Sequence, residues 1–297
     1  MKHLFIILAM LSCSKKGAQK PTVVNSAIVE KANLYKALHK GWAHGAGCDS
    51  LGFTALCKMA GGCDEANITD AESFTEPGRW YRNASQKCFD DGKSASDISK
   101  DMFAMLLPYL YSIGDKQNLE EIYAYGKAKG WVMGRGPASR TIMTPPMIYM
   151  LQVMINKVEP ISAAESLVKE MAAKEMTAKA GYEKHLDVMS FYSQTLYKNG
   201  MDVTDYETLR RYVEESPRNA LMQALYHTYK DGDQSAAVAI LMNETLFPSD
   251  RLPTPKDRCE EYLWQRDDLP KDWDACDTSG VHDGVDFLLA AFVAGQI

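Results

Sequence analysis

The chain has 297 residues, is 46% hydrophobic and 24% charged, and carries a formal net charge of -6. That composition belongs to a globular protein with a sizeable buried core, and it excludes disorder, a collagen-like fibre and a multi-pass membrane protein. The acidic balance, with no stripe of Lys and Arg, also excludes a nucleic-acid partner, because phosphate neutralisation needs clustered positive charge.

Met1-Lys2-His3 makes a basic start, Leu4 to Leu11 an apolar run, and Ser12-Cys13-Ser14-Lys15-Lys16 a break followed by charge. So short an apolar run cannot cross a bilayer core of ~30 Å and reads as a secretory signal. The expected organisation is a signal peptide over 1–12, a polar tether over 13–22 and a single helical domain over 23–297. Met10-Leu11-Ser12-Cys13 resembles the lipobox of bacterial lipoproteins, with Met10 where leucine is usual. The resemblance implies cleavage before Cys13, acylation of Cys13 and, because Ser14 rather than aspartate follows it, sorting to the outer membrane. The membrane is then a partner through acyl chains worth ~0.8 kcal/mol per buried CH₂. Loss of Lys2 with the signal takes the formal charge from -6 to -7.

Of the 7 cysteines, assigning Cys13 to lipid leaves an even set: Cys48, Cys57, Cys63, Cys88, Cys259 and Cys276. An even number in an exported protein favours disulfides, and the absence of any C-x₂₋₄-C pair argues against zinc. If one helix holds Cys48 and Cys57, they stand about 13 Å apart at ~1.5 Å per residue, too far for a bond. Cys57 instead meets Cys63 across Gly61-Gly62, which leaves Cys48 with Cys88 and Cys259 with Cys276.

From Val23 onward the periodicity is helical. Met102, Phe103, Leu106, Leu107, Leu110 and Tyr111 form one stripe and Leu119, Ile122, Tyr123 and Gly126 the next, closed by Gly130. The Gly114-Asp115-Lys116 turn folds these into an antiparallel hairpin. A helix over 146–158 turns at Glu159-Pro160 and restarts at the capping box Ser162-x-x-Glu165. Residues 182–198 pair with 204–215. Ser216-Pro217 then supplies a cap and an N1 proline for 217–230, with Leu221, Met222, Leu225, Tyr226 and Tyr229 inward. Asp233 caps a short helix to about 243, and the last helix runs from Asp283 to Ala294. Strand-like alternation is nearly absent, so the class is all-α.

Two stretches, 61–95 and 246–281, lack this period, and the cysteines sit in or beside them. Long irregular loops in a compact domain are uncommon and often functional. The stretch from Ser99-Lys100-Asp101-Met102-Phe103 to Gly130-Trp131-Val132-Met133-Gly134 is similar to the hairpins of (α/α) toroid proteins, the six-hairpin glycosidases and related lyases. The resemblance implies a ring of antiparallel helical hairpins, with a cavity at one end suited to carbohydrate chemistry. An α-solenoid or an irregular helical bundle are the alternative arrangements.

Glycoside hydrolysis commonly uses two carboxyl groups. The candidates are Asp49 and Asp101, each at a helix start beside a long loop, and the cluster His282-Asp283-Gly284-x-Asp286, where a histidine beside two carboxylates suits acid–base work. Substrate-binding candidates are Arg79, Trp80 and Tyr81 on the first loop and Trp264 and Arg266 on the second. Arg140, read as lying at a helix entrance, suits a substrate carboxylate, and His185 lies on a helix between Tyr182 and Met189. No G-x-S-x-G elbow, P-loop, H-E-x-x-H or dinucleotide fingerprint is present, so no cofactor is expected. The expectation is a lipid-anchored envelope protein that binds or cleaves an oligosaccharide. The alternative is a noncatalytic lipoprotein serving as a recognition or assembly scaffold.

Overall fold

The computed structural model describes residues 13–14, 23–43, 48–88, 96–135, 140–158, 184–198, 200–253 and 284–297, and among them helix predominates, as the periodicity requires. Helix α1 (Ser26–Leu38) opens at Asn25, whose side-chain oxygen accepts from the Ala27 N–H at 3.0 Å, and it buries Ile28, Lys31, Ala32 and Tyr35. The Asn25 N–H donates to Gln296 Oε1 at 2.8 Å, which ties this helix to the end of the chain.

Helices α2 (Ser50–Met59) and α3 (Lys100–Ser112) are apolar on nearly every side because each lies between two layers of core. Leu51, Ala55, Phe103 and Leu107 face a cluster containing Trp80 and Trp131. Phe53, Leu56, Ala104 and Met105 face the other cluster, with Leu225 and Phe287. A Cβ on Gly52 would lie 2.8 Å from the Met105 side chain, so the missing side chain is what lets the two helices meet. Helix α4 (Lys116–Ala128) follows the predicted turn, with Asp115 as its cap. It ends where Gly130 and Trp131 take positive φ, and the Trp131 ring lies back on Gly126.

A short antiparallel hairpin of β2 (Val132–Arg135) and β3 (Arg140–Ile142) comes next. It corrects the expectation of a helix entrance at Arg140, and strands this short are below what alternation can register. Helix α5 (Pro145–Met154) is about a turn shorter than the pattern implied. Helix α6 (Lys184–Tyr197), β4 (Met201–Asp202) and α7 (Val203–Glu215) follow, and β4 pairs antiparallel with β1 (Cys13–Ser14). Helix α8 (Ala220–Lys230) starts later than Ser216-Pro217 predicts, because Asn219 takes the cap and accepts from the Met222 N–H at 3.1 Å. At α9 (Ser235–Leu241) Asp233 accepts from the Ser235 N–H at 3.0 Å, and α10 (Val285–Val293) completes the order. The Ser162-x-x-Glu165 box and residues 15–22 of the expected 13–22 tether lie outside the described residues, whereas Cys13 and Ser14 are paired with β4.

Helix α2 packs on α3, α3 on α6, α6 on α7, α7 on α8, α8 on α10, and α10 back on α2, with α4 and α5 against α3. The disulfides Cys48–Cys88 and Cys57–Cys63 form as expected. Cys259 and Cys276 lie outside the described residues.

Candidate functional site

The irregular stretch after α2 is held by one 3₁₀ turn (Ile68–Ala71), the bridges Glu72–Trp80 and Tyr81–Asp97, and the Cys48–Cys88 bond. It carries most of the described candidates from the first loop and the helix starts, and their charges are used internally. Arg79 Nε donates to Asp97 Oδ1 at 2.9 Å and Nη1 to Glu76 Oε2 at 2.6 Å, and the guanidinium lies 5.1 Å from the Tyr81 ring centroid. Burial pulls the Arg79 pKa down, but the hydrogen bonds to Glu76 and Asp97 outweigh it, and the net shift is upward. Glu76, also reached by Lys129, is held below the ordinary carboxylate range by those same hydrogen bonds. Arg82 Nη1 donates to Asp49 Oδ1 at 3.0 Å, and Asp101 accepts from the Ser99 hydroxyl.

Trp80, expected on a binding rim, is instead fully buried in the core with its Nε1–H unbonded. Alternation about the Glu72–Trp80 bridge turns it inward and leaves Tyr81 half-buried. Arg140 is exposed on β3, and Asp286 is buried in the first turn of α10. His185 lies in the first turn of α6. His282, Trp264 and Arg266 fall outside the described residues.

Beside Arg79, Glu72 is raised above the ordinary carboxylate value, first by burial and then by the neighbouring Glu121. A carboxyl raised in the fold stabilises it below its own pKa, and that contribution is lost as the pH climbs through it. Glu72→Gln keeps the oxygen that accepts from the Gly78 N–H at 2.9 Å and removes the penalised charge. Thermal unfolding should therefore show the variant more stable than the parent at pH 7, with the advantage vanishing as the pH falls below about 4.5.

A different region holds a pocket half open to solvent. A cavity of about 210 Å³ lies where α6, α8 and α10 come together, lined by Tyr192, Thr195, Leu225, Thr228, Tyr229 and the segment 292–295. The lining residues Thr195, Thr228, Tyr229, Phe292 and Val293 stand in the last turns of their helices, so three C-terminal ends converge on it. Each such end carries a partial negative charge of about -0.5. Among the described residues, no Lys, Arg, Asp, Glu or His lines the cavity.

The hydrogen bonding of the wall is lopsided. The Thr195 hydroxyl donates to Tyr192 O at 2.6 Å and the Thr228 hydroxyl to Ala224 O at 2.8 Å. Gly232, at φ 73°, bends the chain so that Gln234 returns along α8. Gln234 Nε2 donates to Ala224 O and to Thr228 Oγ1, each at 3.1 Å, which fixes the amide's orientation and leaves Gln234 Oε1 without a donor. The Tyr192 hydroxyl also makes no hydrogen bond, although the residue is only 3% exposed. Burial raises its pKa far above the ordinary value, so it remains a neutral O–H.

The sequence reading passed over Tyr192, Thr195, Thr228 and Gln234, because tyrosine on an apolar stripe reads as core and threonine near a helix end as back-bonded. Thr195 and Thr228 share a place in the last turn of a helix, but only the tertiary fold brings Tyr192 and Gln234 beside them. Set against family models, curated proteins and solved structures, the chain matches none of them.

Proposed function

We propose that the protein is a lipid-anchored envelope protein whose helical domain binds a carbohydrate without cleaving it. The observation that carries this is the contrast between the two regions: the charged candidates of the first loop are tied into ion pairs, whereas the described lining of the pocket at the ends of α6, α8 and α10 is uncharged and mixes hydroxyls, an amide and aromatic rings. Hydroxyl, amide and ring surfaces side by side are what a neutral polyol meets with its own hydroxyls and C–H faces. For the arrangement of helices, a toroid-like ring is the architecture we favour. It is supported by the packing circuit that leaves α2 through α3 and returns to it through α10, since a solenoid would not close.

Membrane fractionation tests the anchor. Cys13→Ser should move the protein from the detergent-requiring fraction to the soluble one, while thiol labelling finds Cys48, Cys57, Cys63 and Cys88 still oxidised. A variant that stays in the membrane fraction removes the acylation reading. A screen of glycans tests the rest: retention on immobilised glycans without release of reducing ends is expected, and hydrolysis abolished by Asp101→Asn would restore the catalytic reading.

A further inference from the structure

Resting on the acylation of Cys13, we infer that the domain lies directly on the bilayer, with β4 and the first turn of α7 as the face against the lipid. The juxtaposition that carries this is the antiparallel pairing of β1 with β4, in which Cys13 stands opposite Asp202 and Ser14 opposite Met201. The residue assigned to the acyl chains is thus also the first residue of a strand that belongs to the fold.

Magnitudes separate this from a domain held off the membrane by a tether. A flexible chain over all of 13–22 would let the domain stand roughly 16–19 Å away, at about 5–6 Å × √n for n residues. Opposed Cα atoms in an antiparallel pair are only about 4.5–5.5 Å apart. Acyl chains on Cys13 therefore enter the bilayer beside β4 and draw that face down with them. Met201 is fully buried in the core cluster shared with Leu225 and Phe287, so β4 is seated in the domain and cannot swing out with the strand it holds. Strand β1 also packs on α7, which fixes the orientation further.

The surface flanking the pairing suits that setting. Val203 opens α7 directly after β4 and keeps its apolar side chain 45% exposed, with Thr204 exposed next to it. On the other flank α6 ends at Tyr197, and Lys198 Nζ lies 5.8 Å from the Tyr197 ring centroid, both residues half-buried. A tyrosine ring and a lysine stem each join an apolar body to a polar tip, which is the form that a bilayer interface favours. The acids of the same stretch are engaged within the protein: Asp205 Oδ2 accepts from Gln194 Nε2, and Glu207 Oε2 accepts from Arg210 Nε at 2.9 Å. Neither carboxylate approaches the headgroups bare.

Fluorescence quenching by lipid tests the orientation. The acylated full chain is reconstituted in phosphatidylcholine vesicles that carry a nitroxide on the headgroup, with a coumarin-bearing amino acid in place of Thr204 or of Phe74. Phe74 is 88% exposed on the first loop, which rests on α4, so a freely tethered domain shows both positions to the lipid alike. Quenching at 204 is expected to exceed that at 74 severalfold. Insertion of about ten Gly and Ser residues between Cys13 and Ser14 separates the acylated residue from β4 and should equalise the two positions while the chain stays with the vesicles. Equal quenching in the parent, or stronger quenching at 74, overturns the inference and leaves the acylation reading standing. An orientation that survives the insertion overturns the part assigned to the β1–β4 pairing. A dye at 204 that ignores the nitroxide but self-quenches between copies puts a second copy of this chain on the face, which also overturns the inference. A parent chain that does not float with the vesicles removes the acylation reading and the inference together.

Discussion

Lys31→Met should destabilise the domain by about 3 kcal/mol, although methionine has nearly the same length and suits a buried helix face. Lys31 stands in the inward stripe of α1 between Ile28 and Tyr35, with its side chain 1% exposed. The ammonium has three protons and three acceptors: Leu241 O at 3.2 Å, Phe247 O at 2.5 Å and Glu244 Oε1 at 2.9 Å. Leu241 ends α9, so Lys31 caps the C-terminus of a helix on the far side of the core from its own sequence neighbours. Removing it strands two backbone carbonyls at about 1–3 kcal/mol each, less whatever water recovers. The Glu244 carboxylate is a lesser part, because it is 59% exposed. Glu244→Gln should therefore cost under about 1 kcal/mol. Urea denaturation of the two variants side by side checks the argument, and equal losses would show that the ion pair, not the carbonyl capping, is what matters.

The same clasp positions the rim of the chain that the second irregular stretch leaves from. Tyr35, one turn after Lys31, donates its hydroxyl to Pro248 O at 2.7 Å, and Gly284 at the start of α10 packs on the Tyr35 ring, where a Cβ would lie 2.6 Å away. Helix α1 thus holds both ends of the 249–284 segment. It also sets α10, whose last turn lines the cavity.

Much of this was legible in the residue pattern, and the reasons differ from element to element. Helices α3 and α4 appear where their stripes predict because burial on one or two faces imposes a period that a sequence shows directly. Cys57–Cys63 follows from helix geometry, whereas the four remaining cysteines allow three pairings, of which Cys48–Cys88 belongs to one. Trp80 misled because composition places tryptophan and arginine together without saying which way each points. One residue of register puts Trp80 in the core and leaves Arg79 and Tyr81 only half-buried. Lys31 was invisible for the opposite reason: a lysine in an apolar stripe looks like noise until three acceptors from 210 or more residues away in sequence surround it. The cavity is built from residues ordinary in their own helices and unusual only in company, so no local signal marks them.

The strongest single backbone constraint lies under the first loop, and Gly78→Ala should cost about 3–5 kcal/mol. Gly78 sits at φ 80°, and an ideal Cβ there would lie 2.1 Å from Glu121 O and 2.8 Å from Ile122 N, both backbone atoms in the middle of α4. A left-handed conformation charges a non-glycine residue roughly 1–2 kcal/mol, and overpacking against atoms that cannot turn aside adds about 1–3 kcal/mol. The loop must then lift from α4, which breaks the Gly78 N–H bond to Glu72 and pulls Arg79 from Asp97. Gly114 separates the two contributions: its φ is 72°, yet a Cβ there meets nothing within 4 Å. Gly114→Ala should accordingly cost only the conformational part, about 1 kcal/mol. Chemical denaturation of both variants is the measurement. A Gly78→Ala loss no larger than that of Gly114→Ala would mean that the loop does not rest on α4, and with it would go the inward placement of Trp80 that removed this loop's tryptophan from the binding surface.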